Sequence, residues 1–170
     1  LTSMLLDINR LEAGHSVGKR QLTSPSRWIS DAIDAVLPIA LAKEQDLSWD
    51  IPPDLPDLNA CGEMILRVLI NLLENAVKFT PPQGKIHITV QEQKDRVVFC
   101  VSDTGPGILL EDQEIIFNKY SKIGECEGPL GFGLGLAYCR LAVREHGGEI
   151  WVESEPGQGS HFIFAIPNVN

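Results

Sequence analysis

"NLLENAVKFT", residues 71–80, carries its apolar residues at helical spacing, is stopped by Pro81, and spends two asparagines on what looks like one face. Asparagine is a poor helix former, because its amide competes for nearby backbone hydrogen bonds. At roughly 100° per residue, with Asn71 set at zero, Asn75 falls near 40°, Lys78 near 340°, Arg67 near 320° and Glu74 near 300°. Ile65, Val68, Leu69, Leu72, Leu73, Ala76 and Phe79 fall between roughly 60° and 200°. The spacing therefore predicts a helix over about 62–79, with one buried face and a polar stripe. The stripe reads two ways. It is either a solvated face or a face turned to a ligand. A solvated face is more usually built from Lys, Glu and Arg, whereas an Asn carbonyl suits Mg²⁺ and Lys suits a phosphate.

On either side the pattern alternates between helix and strand. "LTSMLLDINRLEAGH" has Leu1, Met4 or Leu5, Ile8 and Leu11 at an a/d-like spacing, with Gly14 as a stop. A short strand is expected in 16–24. A helix follows, with Ser24 as cap, Pro25 at its first position and a kink at Pro38. "LSWDI" reads as a strand closed by "PPDLPD". "KIHITVQEQ" and "RVVFCVSD" form one hairpin, and "EIWVES" and "HFIFAIP" a second around "EPGQG". "LEDQEIIFNKY" suggests a short helix, and "LGLAYCRLAVREH" another, stopped by Gly147 and Gly148. The mixture predicts a two-layer α/β (α+β) sandwich, with helices stacked on one face of a sheet.

Bulk properties exclude several classes. The 170 residues suffice for one ordinary domain, and 44% hydrophobic content is a globular value. With 14 basic against 23 acidic residues, the net charge of −9 argues against a nucleic-acid surface. Cys61, Cys100, Cys126 and Cys139 have no zinc-ligand spacing and read as free thiols of a reducing compartment. No apolar run approaches the ~20 residues of a membrane span. Cytoplasmic placement is expected, or the cytoplasmic part of a membrane-bound parent. The chain begins with Leu1 and reads as a fragment of a longer protein.

Two glycine motifs complete the inventory. "SDTGPGI" (102–108) sets Asp103 at the end of an apolar strand before a tight turn. It is an ordinary turn, or it presents a carboxylate that accepts from an adenine amine and repels the guanine carbonyl. "GPLGFGLGLA" (128–137) is a flexible loop, or a backbone that approaches phosphate at a helix N-terminus. It is neither a P-loop nor a Rossmann turn.

In order, "INLLENAVKFTP", "DTGPGI", "IFNKYSKI", "GFGLGLA" and "EPGQGSHFIFAIP" resemble the N, G1, F, G2 and G3 boxes of bacterial sensor histidine kinases. These belong to the superfamily that includes DNA gyrase, the heat-shock chaperone ATPases and the mismatch-repair ATPases. "LLDINRLEAGH" resembles the end of the second helix of the dimerisation and phosphotransfer domain. The resemblance implies a helical stub over 1–14 and a catalytic ATP-binding domain over 15–170. The implied fold is of the Bergerat type, a mixed sheet covered on one face by three helices. It further implies that Asn75 coordinates Mg²⁺, with Asn71 beside it near the phosphates, and that Lys78 reaches a phosphate oxygen. Asp103 would accept from the adenine amine, with Gly105, Gly107 and Ile108 shaping the turn beneath the base. Lys122 stands where the F box often has a phosphate-contacting Arg. Gly131, Phe132, Gly133, Leu134, Gly135 and Leu136 would close over the phosphates.

Such kinases use Mg·ATP to phosphorylate a histidine, whose phosphoryl group passes to an aspartate on a response-regulator receiver domain. His15, His87, His146 and His161 lack the family's phosphoacceptor context, so the acceptor is expected before Leu1. This fragment is expected to be a monomer that binds ATP without phosphorylating itself, and the parent a homodimer. Other departures are Phe132 in a slot that often holds a small residue or Thr, a short lid, and Cys61 where an Asp often begins the N-box helix. Two other functions share the motifs. The gyrase-type ATPases carry a water-activating Glu where this chain has Asn71, which favours transfer to a protein over hydrolysis. A serine-directed anti-sigma kinase lacks the "DINRLEAGH" entry helix. A signalling module that only binds nucleotide is the remaining alternative.

Overall fold

The computed structural model describes residues 2–15, 18–121 and 133–168. Helix α1 (Thr2–Glu12) leads to strand β1 (Gln21–Thr23) and helix α2 (Pro25–Ala42), then β2 (Asp46–Asp50), β3 (Leu58–Ala60) and α3 (Gly62–Phe79). Strands β4 (Lys85–Glu92) and β5 (Arg96–Asp103) follow, then α4 (Gly135–Glu145), β6 (Glu149–Ser154) and β7 (Ser160–Pro167). The main sheet has the order β2-β4-β5-β7-β6, with β2 parallel to β4 and every other pairing antiparallel. Both expected hairpins are present. A separate ribbon pairs β1 with β3, Gln21 opposite Ala60.

Strand alternation decides which face is covered. Ile86, Ile88 and Val90 of β4, Val97, Phe99 and Val101 of β5, and Phe162, Phe164 and Ile166 of β7 are all buried. Successive side chains on a strand point to opposite faces, so these residues share one face, on which α2, α3 and α4 pack. Phe99 and Phe164 face each other in the register and stack with centroids 4.5 Å apart. The expected mixed sheet under three helices is what the chain forms.

Helix α3 is the central element. Met64, Ile65, Val68, Leu69, Leu72, Leu73, Ala76 and Val77 are buried, while Phe79 is only half-buried. Truncating Leu72 to Ala would cost about 2–5 kcal/mol and disturb the seat of both asparagines. Its end is fixed by chemistry the prolines make necessary. Pro81 and Pro82 carry no N–H to close the last turn. The Val77 carbonyl instead accepts from Lys43 Nζ at 2.7 Å and Gln45 Nε2 at 2.9 Å. At its start, the Cys61 side chain makes no capping bond, while the Cys61 N–H donates to His146 Nε2 at 3.0 Å.

Several local expectations change. The strand expected in 16–24 covers three of the described residues, Gln21–Thr23, and α2 does not end at Pro38, which lies inside it. The stretch 110–120 forms no α-helix but two 3₁₀ turns, Leu110–Asp112 and Ile115–Phe117. Ile116 and Phe117 turn inward, Phe117 edge-on to Phe162 at 6.4 Å, and leave Leu110 and Ile115 outside. A nucleus of so few residues is too costly to extend against that packing. Helix α1 packs on α4 through Ile8 and Leu11, and Asp7 pairs with Arg67 at 2.6 Å. Among the described residues no helix is long and apolar enough to cross a membrane.

Candidate functional site

The sequence motifs meet along the polar stripe of α3. At its C-terminal end sits the turn after β5, where a Cβ on Gly105 would come within 2.9 Å of both the Phe79 carbonyl and Asp103 Oδ1. At its middle sits the start of α4, where a Cβ on Gly135 would lie 3.5 Å from Asn71 Oδ1. The stripe is thus bracketed by the two glycine segments, with Asn75 and Lys78 between.

The turn is densely tied. Asp103 Oδ1 accepts from the Gly105 N–H at 2.9 Å. The Thr104 N–H donates to the Lys85 carbonyl at 3.1 Å, and the Lys85 N–H returns a bond to Thr104 Oγ1 at 2.9 Å. The Gly157 N–H donates to Pro106 O at 2.7 Å, and the Ile108 N–H to Ser154 Oγ at 2.8 Å. Gly107 has φ +78°, and a side chain there would overlap the Glu155 carbonyl, so only glycine fits. Burial pushes the Asp103 carboxyl above its ordinary range, opposed by backbone donation from Gly105, the His161 charge and backbone donation from Ser160.

The stripe is the opposite case. The Asn75 side chain has no hydrogen-bond partner among the described residues. Asn71 Nδ2 is buried without one. Lys78 Nζ has no carboxylate partner among the described residues and lies 5.3 Å from the Phe79 ring centroid. Glu74 is half-buried, and burial raises its carboxyl pKa. Among the described residues Arg67 is the one member of the stripe held in an ion pair, with Asp7, and it lies 5.2 Å from the Tyr138 ring centroid. A neutral amide oxygen, an orphaned amide donor and an unpaired ammonium beside a helix N-terminus form a donor set that fits a metal-bound polyphosphate.

The remaining predicted residues divide. Gly133 has φ +68° and lies where its chain crosses Tyr120, whose N–H donates to Gly133 O at 2.9 Å. Leu134 is the N-cap residue of α4 and its side chain is buried, so it could meet a ligand only through backbone. Leu136 is partly buried against the core. Lys122, Gly131 and Phe132 lie outside the described residues, as does Cys126. Cys61 and Cys139 are buried free thiols, and Cys100 is half-buried. His146 sits between the Cys61 N–H and the Ala142 carbonyl, 2.7 Å from Nδ1, while His87 bonds Ser48 and His161 bonds Ser102.

Two residues that the sequence did not single out also shape the site. Ser154 accepts from Ile108 N–H and donates to the Gly159 carbonyl at 2.8 Å. Gln113 bonds both Ile108 and Ser154. "EPGQGS" read as a hairpin turn is therefore also the brace of the Asp103 turn.

The profile of the family described as histidine kinase-, DNA gyrase B-, and HSP90-like ATPase matches residues 62–170. The adaptive-response sensory kinase SasA of Thermosynechococcus vestitus is 47% identical over 126 residues, which cover 74% of this chain and 33% of that protein. This chain thus spans about a third of that relative's length. The nucleotide-free catalytic domain of the histidine kinase ThkA superposes with a TM-score of 0.79 at 30% identity, over 89% of this chain and 99% of that domain. Full-length ShkA in complex with AMPPNP gives a TM-score of 0.84 at 27% identity, over 98% of this chain and 35% of that protein. With its motifs gathered on one helix stripe and these relatives beside it, the chain belongs to the histidine kinase-, DNA gyrase B- and HSP90-like ATPases, among the catalytic domains of sensor histidine kinases.

Proposed function

We propose that this chain binds Mg·ATP along the α3 stripe and supplies its γ-phosphoryl group to a histidine of the parent kinase, for relay to a response-regulator aspartate. The observation that carries the proposal is the bracketing of Asn71, Asn75 and Lys78 between the Asp103 turn and the start of α4. The AMPPNP bound by the similar ShkA supports the choice of nucleotide.

In this reading the Asp103 carboxylate accepts from the adenine amine, and Gly105 and Gly107 let the backbone pass beneath the base. Asn75 would hold Mg²⁺ through its amide oxygen, with Asn71 adjacent. The ion, when bound, offsets the charge of the phosphates. Lys78 donates to a phosphate oxygen, and the N–H groups of the first turn of α4 face the same charge. Asn71 cannot take a proton from water, so the site is suited to transfer rather than hydrolysis. The acceptor nitrogen bonds the γ-phosphorus as the bond to the ADP oxygen breaks. Residues 1–14 belong, in this reading, to the second helix of the phosphotransfer domain. The burial of Ile8 and Leu11 within the chain supports a monomer for these 170 residues.

Calorimetric titration with ATP and GTP, with and without Mg²⁺, tests the proposal. ATP should bind and GTP should not, and Mg²⁺ should strengthen ATP binding. Asn75→Ala should remove about tenfold of the affinity in Mg²⁺ and little in its absence, a loss of ~1.4 kcal/mol. Binding of both nucleotides with no Mg²⁺ dependence would overturn it.

A further inference from the structure

We propose that Gln113 is a positioning residue for the nucleotide base, holding the Asp103 turn in the shape that distinguishes adenine from a base with a carbonyl in place of the amine. The proposal rests on the ATP reading above. Gln113 Nε2 donates one hydrogen to the Ile108 carbonyl at 3.1 Å and the other to the Ser154 carbonyl at 2.9 Å. Those two oxygens end different segments, the turn after β5 and strand β6, and both converge on one point. Two acceptors facing one point repel unless a group with two donors stands between them, and a primary amide is the neutral side chain that supplies both.

Asp103 is connected to this staple through a short series of backbone contacts. Asp103 Oδ1 accepts from Gly105, Pro106 O accepts from Gly157, Gly107 packs on Glu155, and Ile108 donates to Ser154 Oγ. Every link crosses between the turn and the β6–β7 hairpin, except the first, which lies within the turn. Spreading Ile108 from Ser154 therefore shifts Gly107 against Glu155 and carries Gly105 with it, and Gly105 sets the aim of the carboxylate. The anchor itself is rigid, because Gln113 is followed within four residues by the buried Ile116 and Phe117.

A purely structural role would lower stability and weaken all nucleotides alike; a positioning role changes their ratio. The test titrates the 170-residue chain in Mg²⁺ with ATP and with ITP, which carries a carbonyl where ATP has its amine. The unsubstituted chain, Gln113→Glu and Gln113→Leu are compared at pH 7.5 and 5.5. At pH 7.5 both variants should lose about tenfold in ATP affinity, the loss of one or two hydrogen bonds, with ITP changed by less than about twofold. At pH 5.5 Gln113→Glu should regain part of its ATP affinity, because a protonated carboxyl donates one of the two bonds. Neither Gln113→Leu nor the unsubstituted chain should gain. An unchanged ATP-to-ITP ratio in the variants would overturn the proposal. Should Gln113→Glu not fold, the ratio in Gln113→Leu decides. No ATP binding by the unsubstituted chain would instead overturn the nucleotide reading itself, and this inference with it.

Discussion

The two ends of the site are built on opposite principles. The Asp103 turn is finished before any ligand arrives: its carboxylate accepts from the Gly105 N–H, Thr104 is bonded to Lys85 of β4, and Pro106 O and the Ile108 N–H are bonded to the β6–β7 hairpin. The α3 stripe is left incomplete, with Asn75, Lys78 and Asn71 Nδ2 lacking partners among the described residues. A flat, uncharged base is recognised by shape and one or two hydrogen bonds, which need a preset frame. A polyphosphate with its ion brings strong charge and its own coordination, and polar groups already paired within the protein would have to be broken to meet it. The contrast separates residues whose loss harms folding from residues whose loss harms binding alone.

Asp103→Asn presses hardest on that contrast. In the proposed reading this removes the acceptor for the amine and should cost ATP affinity about 30- to 100-fold, the worth of a charged hydrogen bond. Folding should not suffer. A carboxyl whose folded pKa is raised opposes folding once it ionises, so above pH 4 the uncharged amide should raise the melting temperature. Its Oδ1 can still accept from Gly105. A lowered melting temperature would show that the turn needs the charge itself.

Ser154→Ala inverts the pattern. It leaves the Ile108 N–H and the Gly159 carbonyl short of a partner and should cost about 1–3 kcal/mol in chemical denaturation. Base selectivity should fall with it. Selectivity kept at full strength would mean that the brace supports only the fold.

A smaller effect comes from pH, at the far end of α3. His146 Nε2 accepts from Cys61 N–H, so Nδ1 carries the ring proton toward the Ala142 carbonyl. Burial lowers its pKa. The stability it contributes is complete above the unfolded value near 6.5 and is lost as pH falls through the lower folded value. The melting temperature should fall between pH 7.5 and 5.5, and fall less in His146→Gln. Equal falls in both proteins would remove His146 from the account.

Least of all should follow from Arg67→Ala, which removes the ion-paired member of the stripe. The Asp7–Arg67 pair is partly exposed, so its loss should cost less than about 1 kcal/mol. Amide exchange should quicken in α1 and stay unchanged at the Asp103 turn. Faster exchange in the turn would mean that the two ends are not independent.

Much of this arrangement was legible in the sequence, and the reasons for the exceptions are physical. Helix α3 announced itself because its apolar residues repeat at one period over eighteen positions. The two hairpins did so because Lys94-Asp95 and Pro156-Gly157 interrupt clear strand patterns. Strand β3 was invisible, since three residues behind a proline-rich run gain their identity only from β1, far away in the chain. The 3₁₀ turns were misread as helix because composition cannot tell which of Ile115 and Ile116 will be buried. Asn71 and Asn75 stood out as costly choices for a helix face. Gln113 and Ser154 did not, because a polar residue near a turn looks the same whether it braces backbone or faces water.

The crossing of Tyr120 and Gly133 has a consequence of a different kind. Tyr120 N–H meets Gly133 O at 2.9 Å, and a Cβ on Gly133 would strike the Tyr120 backbone at 2.6 Å. Gly133 stands two residues before α4, so the crossing pins the start of that helix beside Asn71. With φ +68° and no room for a Cβ, the position works as a one-residue latch. Any other residue there would push the start of α4 away from Tyr120 and carry Gly135 off Asn71, from a place that touches neither asparagine.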